Sequence, residues 1–266
     1  MSLHHIFILA VIQGLTEFLP VSSSGHLSLL HGLSPLPDQG VLFDVALHAG
    51  TLFAVIFYFR REVGHMLLGG VAILRGRESE HKQLAWQIGL ATLPIIPVGA
   101  LFVVTGLADQ LRSPTVIAWA SILFAVPLYL TDRFMQTDKT LDELGYSRAF
   151  VIGLAQLAAL IPGASRAGVT ITAARGMGFN RQEAARFSML LSIPVIMIFT
   201  LLGLFDLLQK GNFALLSDAV LGAVLAAVMG LAGIHFFLKM TARFSLLPFV
   251  LYRLVLGTVL LYLFSV

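Results

Sequence analysis

Residues 16–26 read TEFLPVSSSGH and place one carboxylate, three consecutive serines and a histidine between two strongly apolar segments. Pro20 lies within this stretch, and a helix ends or kinks at proline because proline has no amide hydrogen to donate. A carboxylate inside a membrane is energetically unfavourable and is usually functional. The stretch therefore predicts a helix break that carries a polar site.

The composition of the whole chain is that of an integral membrane protein. Of its 266 residues, 58% are hydrophobic and 12% are charged, whereas soluble domains carry roughly 25% charged residues. The first residues, MSLHHIFILAVIQG, lack the basic region and the cleavage site of a secretory signal. The sequence has no cysteine, which excludes disulfides and thiolate metal sites. Because one crossing needs ~20 apolar residues, we predict an all-α polytopic fold with six full transmembrane helices at 41–59, 84–107, 114–131, 186–208, 218–238 and 246–265.

The distribution of lysine and arginine predicts the topology. The positive-inside rule places four basic segments in the cytoplasm, at 60–82, 132–148, 175–186 and 239–245. Since basic segments flank them on both sides, residues 149–178 must enter and leave on one face, as a re-entrant hairpin broken at Pro162 and Gly163. The same accounting predicts a second hairpin over residues 3–33, which enters from the opposite face and is broken near Pro20.

The two hairpins resemble each other, which predicts an internal repeat within a single membrane domain, residues 1–266. Aligning Pro20 with Pro162 pairs Ser23 with Ser165. Each half has one hairpin and three spans; an odd number of spans inverts the second half, and inverted repeats with broken helices are typical of transporters. Chance similarity between apolar segments is the alternative. The predicted divisions are a first repeat, a cytoplasmic linker and an inverted second repeat, at 1–131, 132–147 and 148–266.

The first hairpin supplies most of the candidate site residues. Gln13 and Glu17 are four residues apart and share a helix face. If the helix resumes near Ser22, Ser23 and His26 lie one turn apart, so that the imidazole could reach the hydroxyl or the group it attacks. The alternatives are a Glu17 that braces the break, serines that cap a helix and a packed histidine. The candidates from this hairpin are Gln13, Glu17, Ser22, Ser23, Ser24, Gly25, whose missing side chain permits close approach of a ligand, and His26.

The second hairpin adds a cation, Arg166, which is the only charge between Arg148 and Arg175. A guanidinium at membrane depth needs an anionic partner, and its fork geometry suits phosphate. An ion pair between Arg166 and Glu17 is the alternative, and both could hold, in the empty and the loaded states. His48, on the next span, either lines the site or packs. The other candidates are the half-helix amides that follow the break and the residues Gly163, Ser165 and Thr170.

These residues predict a site for a phosphorylated amphiphile whose tail stays in lipid. Arg166 would hold a phosphate, Ser23 or His26 would attack phosphorus, and Glu17 would orient the base or bind a divalent cation. Phosphoryl transfer needs mainly positioning and charge neutralisation. The sequence has no P-loop and no H-E-x-x-H motif. A transporter of such a phosphorylated lipid is the alternative from another functional class.

Four motifs carry a family resemblance. They are QGLTEFLPVSSSGH at 13–26, PGASRAGVT at 162–170, FDVALHAGT at 43–51 and PFVLYR at 248–253. With these motifs the chain resembles the BacA/UppP family of bacterial undecaprenyl-diphosphate phosphatases, also called bacitracin resistance proteins. Gln13 is a permitted variant of an acidic position, which weakens any model with two carboxylates on a metal, and Ala167 replaces the usual serine. A second lipid-phosphatase superfamily needs a histidine where this chain has Thr172.

The resemblance implies hydrolysis of undecaprenyl diphosphate to undecaprenyl phosphate and inorganic phosphate, which recycles the lipid carrier for peptidoglycan synthesis and confers bacitracin resistance. It also implies a multi-pass protein of the bacterial cytoplasmic (inner) membrane, with the active site open to the outer face. The implied cofactor is a divalent cation, Mg²⁺ or Ca²⁺, with Glu17 as its candidate ligand. The expected partners are the lipid diphosphate and membrane lipids but no nucleic acid, and a homodimer is left open. The catalytic residues that the resemblance implies are Glu17, Ser23, His26 and Arg166, and Ser165 and Thr170 are implied to bind the diphosphate with Arg166. The further substrate-binding candidates, which come from the residues themselves, are Gln13, Ser22, Ser24, Gly25, Gly163 and His48.

Overall fold

The computed structural model describes residues 2–23, 25–27, 30, 40–135, 138–210 and 216–264, and no β-strand occurs in these ranges. Residues 23, 25–27 and 30 are helical. The α-helices with described bounds are α1 (Leu3–Thr16), α2 (Gly40–Tyr58), α3 (Arg60–Leu74), α4 (Lys82–Thr92), α5 (Ile95–Val104), α6 (Leu107–Gln110), α7 (Pro114–Phe134), α8 (Tyr146–Gln156), α9 (Arg166–Gly176), α10 (Arg181–Lys210), α11 (Leu216–Thr241) and α12 (Leu247–Phe264).

Six helical segments among the described residues are long and apolar enough to cross a membrane. They are α2, α4 with α5, α7, α10, α11 and α12. This confirms the predicted all-α polytopic membrane fold, with span ends that differ from the prediction by a few residues. Two differences are larger. The second span is interrupted at Leu93 and Pro94, and α10 begins at Arg181 instead of residue 186.

The chain turns back at both predicted breaks. The 14 residues of α1 extend only about 21 Å, which is less than the ~30 Å hydrocarbon core. Leu27 then packs in one cluster with Ile6 and Leu9, so the chain after the first break returns alongside α1. In the second half, α9 packs against α8 after the break. Both segments therefore have the hairpin shape that the sequence predicts.

Helix packing relates the two halves of the chain. α1 packs against α11, and the corresponding helix of the second half, α8, packs against α4. α2 packs against α10, and α7 against α12. These pairings agree with the order of an inverted repeat. The boundaries of the two repeats and of the linker stay a prediction.

One predicted loop is wrong. Residues 60–82, which the charge pattern assigns to a cytoplasmic loop, contain the 15-residue helix α3. The helix forms because its middle is apolar and packs on α4, where Gly69 lies against the carbonyl of His81. Its other face exposes Leu67, Val71 and Leu74.

A buried carboxylate, that of Asp132, links the ends of four helices. Asp132, near the end of α7, accepts from Arg181 Nε at 2.6 Å and from the Leu246 amide at 2.9 Å. Arg175, at the end of α9, lies 3.5 Å from the same carboxylate and donates to the carbonyl of Phe179. This cluster holds α7, α9, α10 and α12 together at the end opposite the hairpin breaks.

The close crossing of α2 and α11 depends on Gly50. A Cβ atom there would lie 2.1 Å from the carbonyl oxygen of Ala223, and small residues are what permit such helix crossings in membranes. We predict that Gly50→Ala lowers the free energy of unfolding by ~1–3 kcal/mol, because the two backbones must move apart. The measurement is an unfolding titration of the full chain in detergent micelles.

Gly89→Ala is the matched control, because a Cβ atom at Gly89 in α4 would meet nothing within 4 Å. Alanine is the better helix former, so this variant should be as stable as the wild type or up to ~1 kcal/mol more stable. Equal effects of the two substitutions would contradict the close α2–α11 crossing.

Candidate active site

Two serines begin the helical segments that follow the breaks. Ser22 and Ser165 both have a positive φ, 71° and 70°, a conformation that is rare for residues other than glycine and clusters at functional sites. Each hydroxyl accepts the amide hydrogen three residues further on, from Gly25 at 3.3 Å and from Gly168 at 3.1 Å. The predicted pairing of Ser23 with Ser165 is therefore wrong by one residue. Ser22 corresponds to Ser165, because these two serines share the positive φ and the capping hydrogen bond. Aligning the two prolines instead shifts the match by one residue.

The residues after these caps, Ser23 and Arg166, both bind Glu17. Ser23 Oγ donates to Glu17 Oε2 at 2.7 Å, and Arg166 Nη2 donates to Glu17 Oε1 at 3.1 Å. Arg166 also donates to the main-chain carbonyls of Glu17 and Ser188. The two hairpins thus meet through one carboxylate. The ion pair that the sequence offered as an alternative reading is present.

The Glu17–Arg166 pair is almost entirely enclosed. The side chains are 9% and 11% exposed. Gln13, which is fully buried, donates from Nε2 to Glu17 Oε2 at 3.0 Å, as the four-residue spacing predicts. Removing one partner of such a buried pair leaves an uncompensated charge and costs ~3–5 kcal/mol. The carboxylate is thereby fixed in one orientation between Ser23 and Arg166.

A cavity of about 210 Å³ opens beside this carboxylate. His48 lines it, with Nε2 4.0 Å from Glu17 Oε2. The Nδ1 atom of His48 lies 2.8 Å from the carbonyl of Asp44 and donates to it, which turns Nε2 toward Glu17. The ring also packs on Phe199, with 4.6 Å between centroids. Of the two sequence alternatives for His48, the structure supports the one that lines the site. The other lining residues are Thr16, Ser22, Ser23, Ile95, Ala159, Leu160, Ser165, Arg166, Val195 and Ile196.

His26 lies away from this cavity. Its Nδ1 donates to the carbonyl of Ser22 at 2.6 Å, and its Nε2 accepts the hydroxyl hydrogen of Tyr252. The two rings stack with 5.6 Å between centroids. The one-turn spacing between Ser23 and His26 predicts that the imidazole can reach the hydroxyl. The structure instead joins the imidazole to α12.

The remaining candidates support the breaks. Gly163, with φ 94°, lies against α7, where a Cβ atom would be 2.5 Å from the carbonyl of Ile117. Gly25 lies close to Ser22 and Ile117, and the close approach of a ligand there stays a prediction. Thr170 is buried and shares a hydrogen bond with the Ser188 hydroxyl at 2.7 Å. Ser24 lies outside the described residues.

Arg253 is the residue that sequence reasoning assigned no role. Its side chain is buried, with 1% of its surface exposed, and it donates to five carbonyl oxygens of the described residues. Three of these acceptors belong to the two breaks, Pro20, Gly163 and Ala164, and two belong to α7. The PFVLYR motif draws attention to this arginine, but a motif does not indicate which atoms the side chain contacts. Arg253 holds both hairpin tips against α7.

The fit to a divalent cation depends on few atoms. The described residues contain no group of three or more His, Asp or Glu side chains that could hold a metal ion. Gln13 Oε1 is buried without a hydrogen-bond partner, next to Glu17. Magnesium often uses one or two carboxylates together with the phosphates of a substrate. Gln13 Oε1 and Glu17 therefore fit a cation that is held jointly with a diphosphate.

Comparison with known proteins agrees with this arrangement. A family model described as bacitracin resistance protein BacA matches residues 6–259. This chain belongs to the BacA family. Relatives named undecaprenyl-diphosphatase occur in Maricaulis maris, 46% identical over 99% of this chain and 100% of the relative, and in Thioalkalivibrio sulfidiphilus, 47% identical over 99% and 100%. A Stutzerimonas stutzeri relative named undecaprenyl-diphosphatase 2 is 49% identical over 100% and 99%.

In this BacA chain, the Arg253 contacts predict a large effect of removing the guanidinium. Arg253→Met should lower the free energy of unfolding by ~3 kcal/mol or more, because several charge-assisted hydrogen bonds of ~1.5–3 kcal/mol each disappear together. Unfolding in detergent measures it, with the exposed Arg77→Met as the control that should change little. If Arg253→Met were as stable as Arg77→Met, Arg253 would not hold the tips.

Proposed function

We infer that this protein hydrolyses undecaprenyl diphosphate to undecaprenyl phosphate and inorganic phosphate, and thereby supports peptidoglycan synthesis and bacitracin resistance. The observation that carries the proposal is the contact of Ser23 and Arg166 with one buried carboxylate at the rim of a cavity. The cavity is lined by a guanidinium, hydroxyls and an imidazole together with aliphatic side chains. The names of the relatives, at 46–49% identity over nearly whole chains, point to the same substrate.

Ser23 is the nucleophile in this proposal. Its hydroxyl lines the cavity and already donates to Glu17 Oε2, so the carboxylate can accept the proton as Oγ attacks the terminal phosphorus. A bond forms between Ser23 Oγ and phosphorus, and the bond to the bridging oxygen breaks. The lipid leaves as its phosphate, and water then releases inorganic phosphate from the serine. His26, which the sequence left as the other candidate nucleophile, has both ring nitrogens bound elsewhere.

Arg166 exchanges partners in this scheme. In the structure it neutralises Glu17, and an entering diphosphate offers it a second anion with matching geometry. When the guanidinium turns to phosphate, Glu17 becomes free to accept a proton from Ser23. The ion pair and the phosphate site are then two states of one residue, which reconciles both sequence readings of Arg166.

A divalent cation, Mg²⁺ or Ca²⁺, enters the proposal as a companion of the substrate. When bound, it neutralises charge on the diphosphate oxygens. The Oε1 atom of Gln13 and the carboxylate of Glu17 would hold it. Without the diphosphate this site would bind a cation only weakly, because it has a single carboxylate and that carboxylate is already paired with Arg166.

We also propose that the cavity opens toward the outer face of the cytoplasmic membrane. His48 lies about 12 Å along α2 from Gly40, and Phe199 lies about 27 Å along α10 from Arg181. Arg181 belongs to a basic end, which the positive-inside rule places in the cytoplasm. The site therefore lies in the outer half of the spans. Ile95, Val195 and Ile196 supply an apolar wall for the prenyl chain.

Substitution of Ser23 tests the chemistry. Ser23→Ala should lower phosphate release by at least ~10³-fold, because it removes the attacking oxygen while leaving Arg166 and Glu17 in place. The assay measures inorganic phosphate released from undecaprenyl diphosphate by the detergent-solubilised full chain, where sidedness is lost and a transporter would release none.

Ser79→Ala is the matched control, because Ser79 lies in the connection between α3 and α4 and does not line the cavity. It should keep wild-type release. Substantial release by Ser23→Ala would contradict the proposed nucleophile, and no release by the wild type with lipid still bound would favour the undecaprenyl phosphate transporter.

Substitution of Gln13 tests the cation proposal without using activity. Gln13→Glu places a second carboxylate beside Glu17, so it should bind Mn²⁺ as a spectroscopic substitute at least ~10-fold more tightly than the wild type in the absence of lipid. Paramagnetic resonance of free Mn²⁺ measures this. Tight binding by the wild-type protein alone would contradict a cation held jointly with the diphosphate.

A further inference from the structure

A second polar cleft lies at the opposite end of the spans from the proposed active site. It has a volume of about 530 Å³ and lies between the ends of α2 and α11 and the starts of α3 and α10. Tyr58, at its edge, is about 15 Å along α2 from His48. We call it the α11 cleft. Its principal polar residues are Tyr58, Glu62, Arg186, His235, Lys239 and Arg243.

The charges of the α11 cleft are divided between two edges. Arg186 donates to Glu62 and to Glu183, both at 3.0 Å, so the α10 edge is a closed ion-pair group. Lys239 and Arg243 have no acidic partner within 4 Å in the described part of the chain. The positive charge available to a ligand therefore lies at the end of α11 and in the turn that follows it.

The three basic side chains of the cleft come from α11 and from the turn that follows it. His235 and Lys239 are four residues apart on α11, which places them on one side of the helix, and Arg243 lies in the turn just after the helix ends at Thr241. His235 is also 3.4 Å from the Tyr58 hydroxyl, which turns its ring toward α2. Such a row of basic side chains matches an anionic group that approaches from the side of the helix.

Exposed aromatic side chains accompany these cations. Phe236 is 57% exposed and Phe244 is 62% exposed, next in sequence to His235 and Arg243. In a membrane protein, aromatic rings and basic residues together at a helix end mark the level of the lipid headgroups. A free anion in water would use the cations but not the rings.

We propose that the α11 cleft binds the phosphate headgroup of an anionic phospholipid in the cytoplasmic leaflet. Lys239 and Arg243 bind the phosphate, and Phe236 and Phe244 contact the glycerol and the upper acyl chain. The ligand has one phosphodiester charge and two acyl chains, and it differs from the substrate in the headgroup and in the membrane leaflet. This site is independent of the proposed hydrolysis, so either proposal can fail alone.

Native mass spectrometry of the full chain in detergent tests the proposal. The probes are phosphatidylglycerol and phosphatidylcholine with the same acyl chains. The wild type should bind one phosphatidylglycerol in clear preference, and the double variant Lys239→Gln/Arg243→Gln should bind it roughly 30-fold more weakly. The exchange variant Lys239→Arg/Arg243→Lys should keep binding, which separates the loss of charge from misfolding.

The control is Arg75→Gln/Arg77→Gln, which removes two cations from another basic segment at this end and should leave binding unchanged. Inorganic phosphate at millimolar concentration should not displace the lipid. Equal binding of both lipids by the wild type, equal losses in the two double variants, or displacement by inorganic phosphate would each overturn the proposal.

Discussion

The structure depends on one buried carboxylate that two separate hairpins share. Glu17 accepts from Ser23 on its own hairpin and from Arg166 on the other. In a low-dielectric interior neither charge is tolerable alone, so the two tips have to meet. This requirement also explains why irregular backbone occurs at membrane depth: it is surrounded by protein and lines a cavity.

The rest of the fold keeps the tips in place. Arg253 binds carbonyls of both breaks and of α7, and charge-assisted hydrogen bonds of this kind are among the stronger ones in proteins. The backbone turns at Ser22 and Ser165, which both have a positive φ. The helical segments that follow therefore begin with Ser23 and Arg166 beside Glu17. The Asp132 cluster closes the other end of the bundle. A rigid scaffold thus surrounds the small set of atoms that contact the substrate in the proposed reaction.

The sequence predicts what depends on hydropathy and charge. The six spans follow from apolar length, and the second hairpin follows from basic segments on both sides of it. The contact between Glu17 and Arg166 is one of the two alternatives that the sequence gives for Arg166, because a guanidinium at membrane depth needs an anionic partner. The positions of His26 and His48 could not be predicted in this way, because both histidines occur at helical spacing in apolar segments. Which of them faces the cavity is decided by the Tyr252 hydroxyl and by the Asp44 carbonyl. The role of Arg253 cannot be predicted either. Its acceptors are main-chain carbonyls, which every residue has, so no sequence pattern marks them. The sequence predicts a loop where α3 lies because the basic residues at both ends of 60–82 indicate a cytoplasmic connection, although the residues between them are apolar.

The chain contains no cysteine, which allows a direct measurement of the contact between the tips. Ser165 donates to the carbonyl of Leu19, so cysteines introduced at Leu19 and Ser165 should react with one short bifunctional thiol reagent. A protease site inserted in the linker at 132–147 is then cleaved, and the denatured protein is examined for whether its two halves remain covalently joined. If the tips meet as described, the two halves of the cleaved chain stay joined through the reagent. If the halves separate as completely as those of either single-cysteine variant, the tips do not touch, and a site shared by Glu17, Ser23 and Arg166 is contradicted.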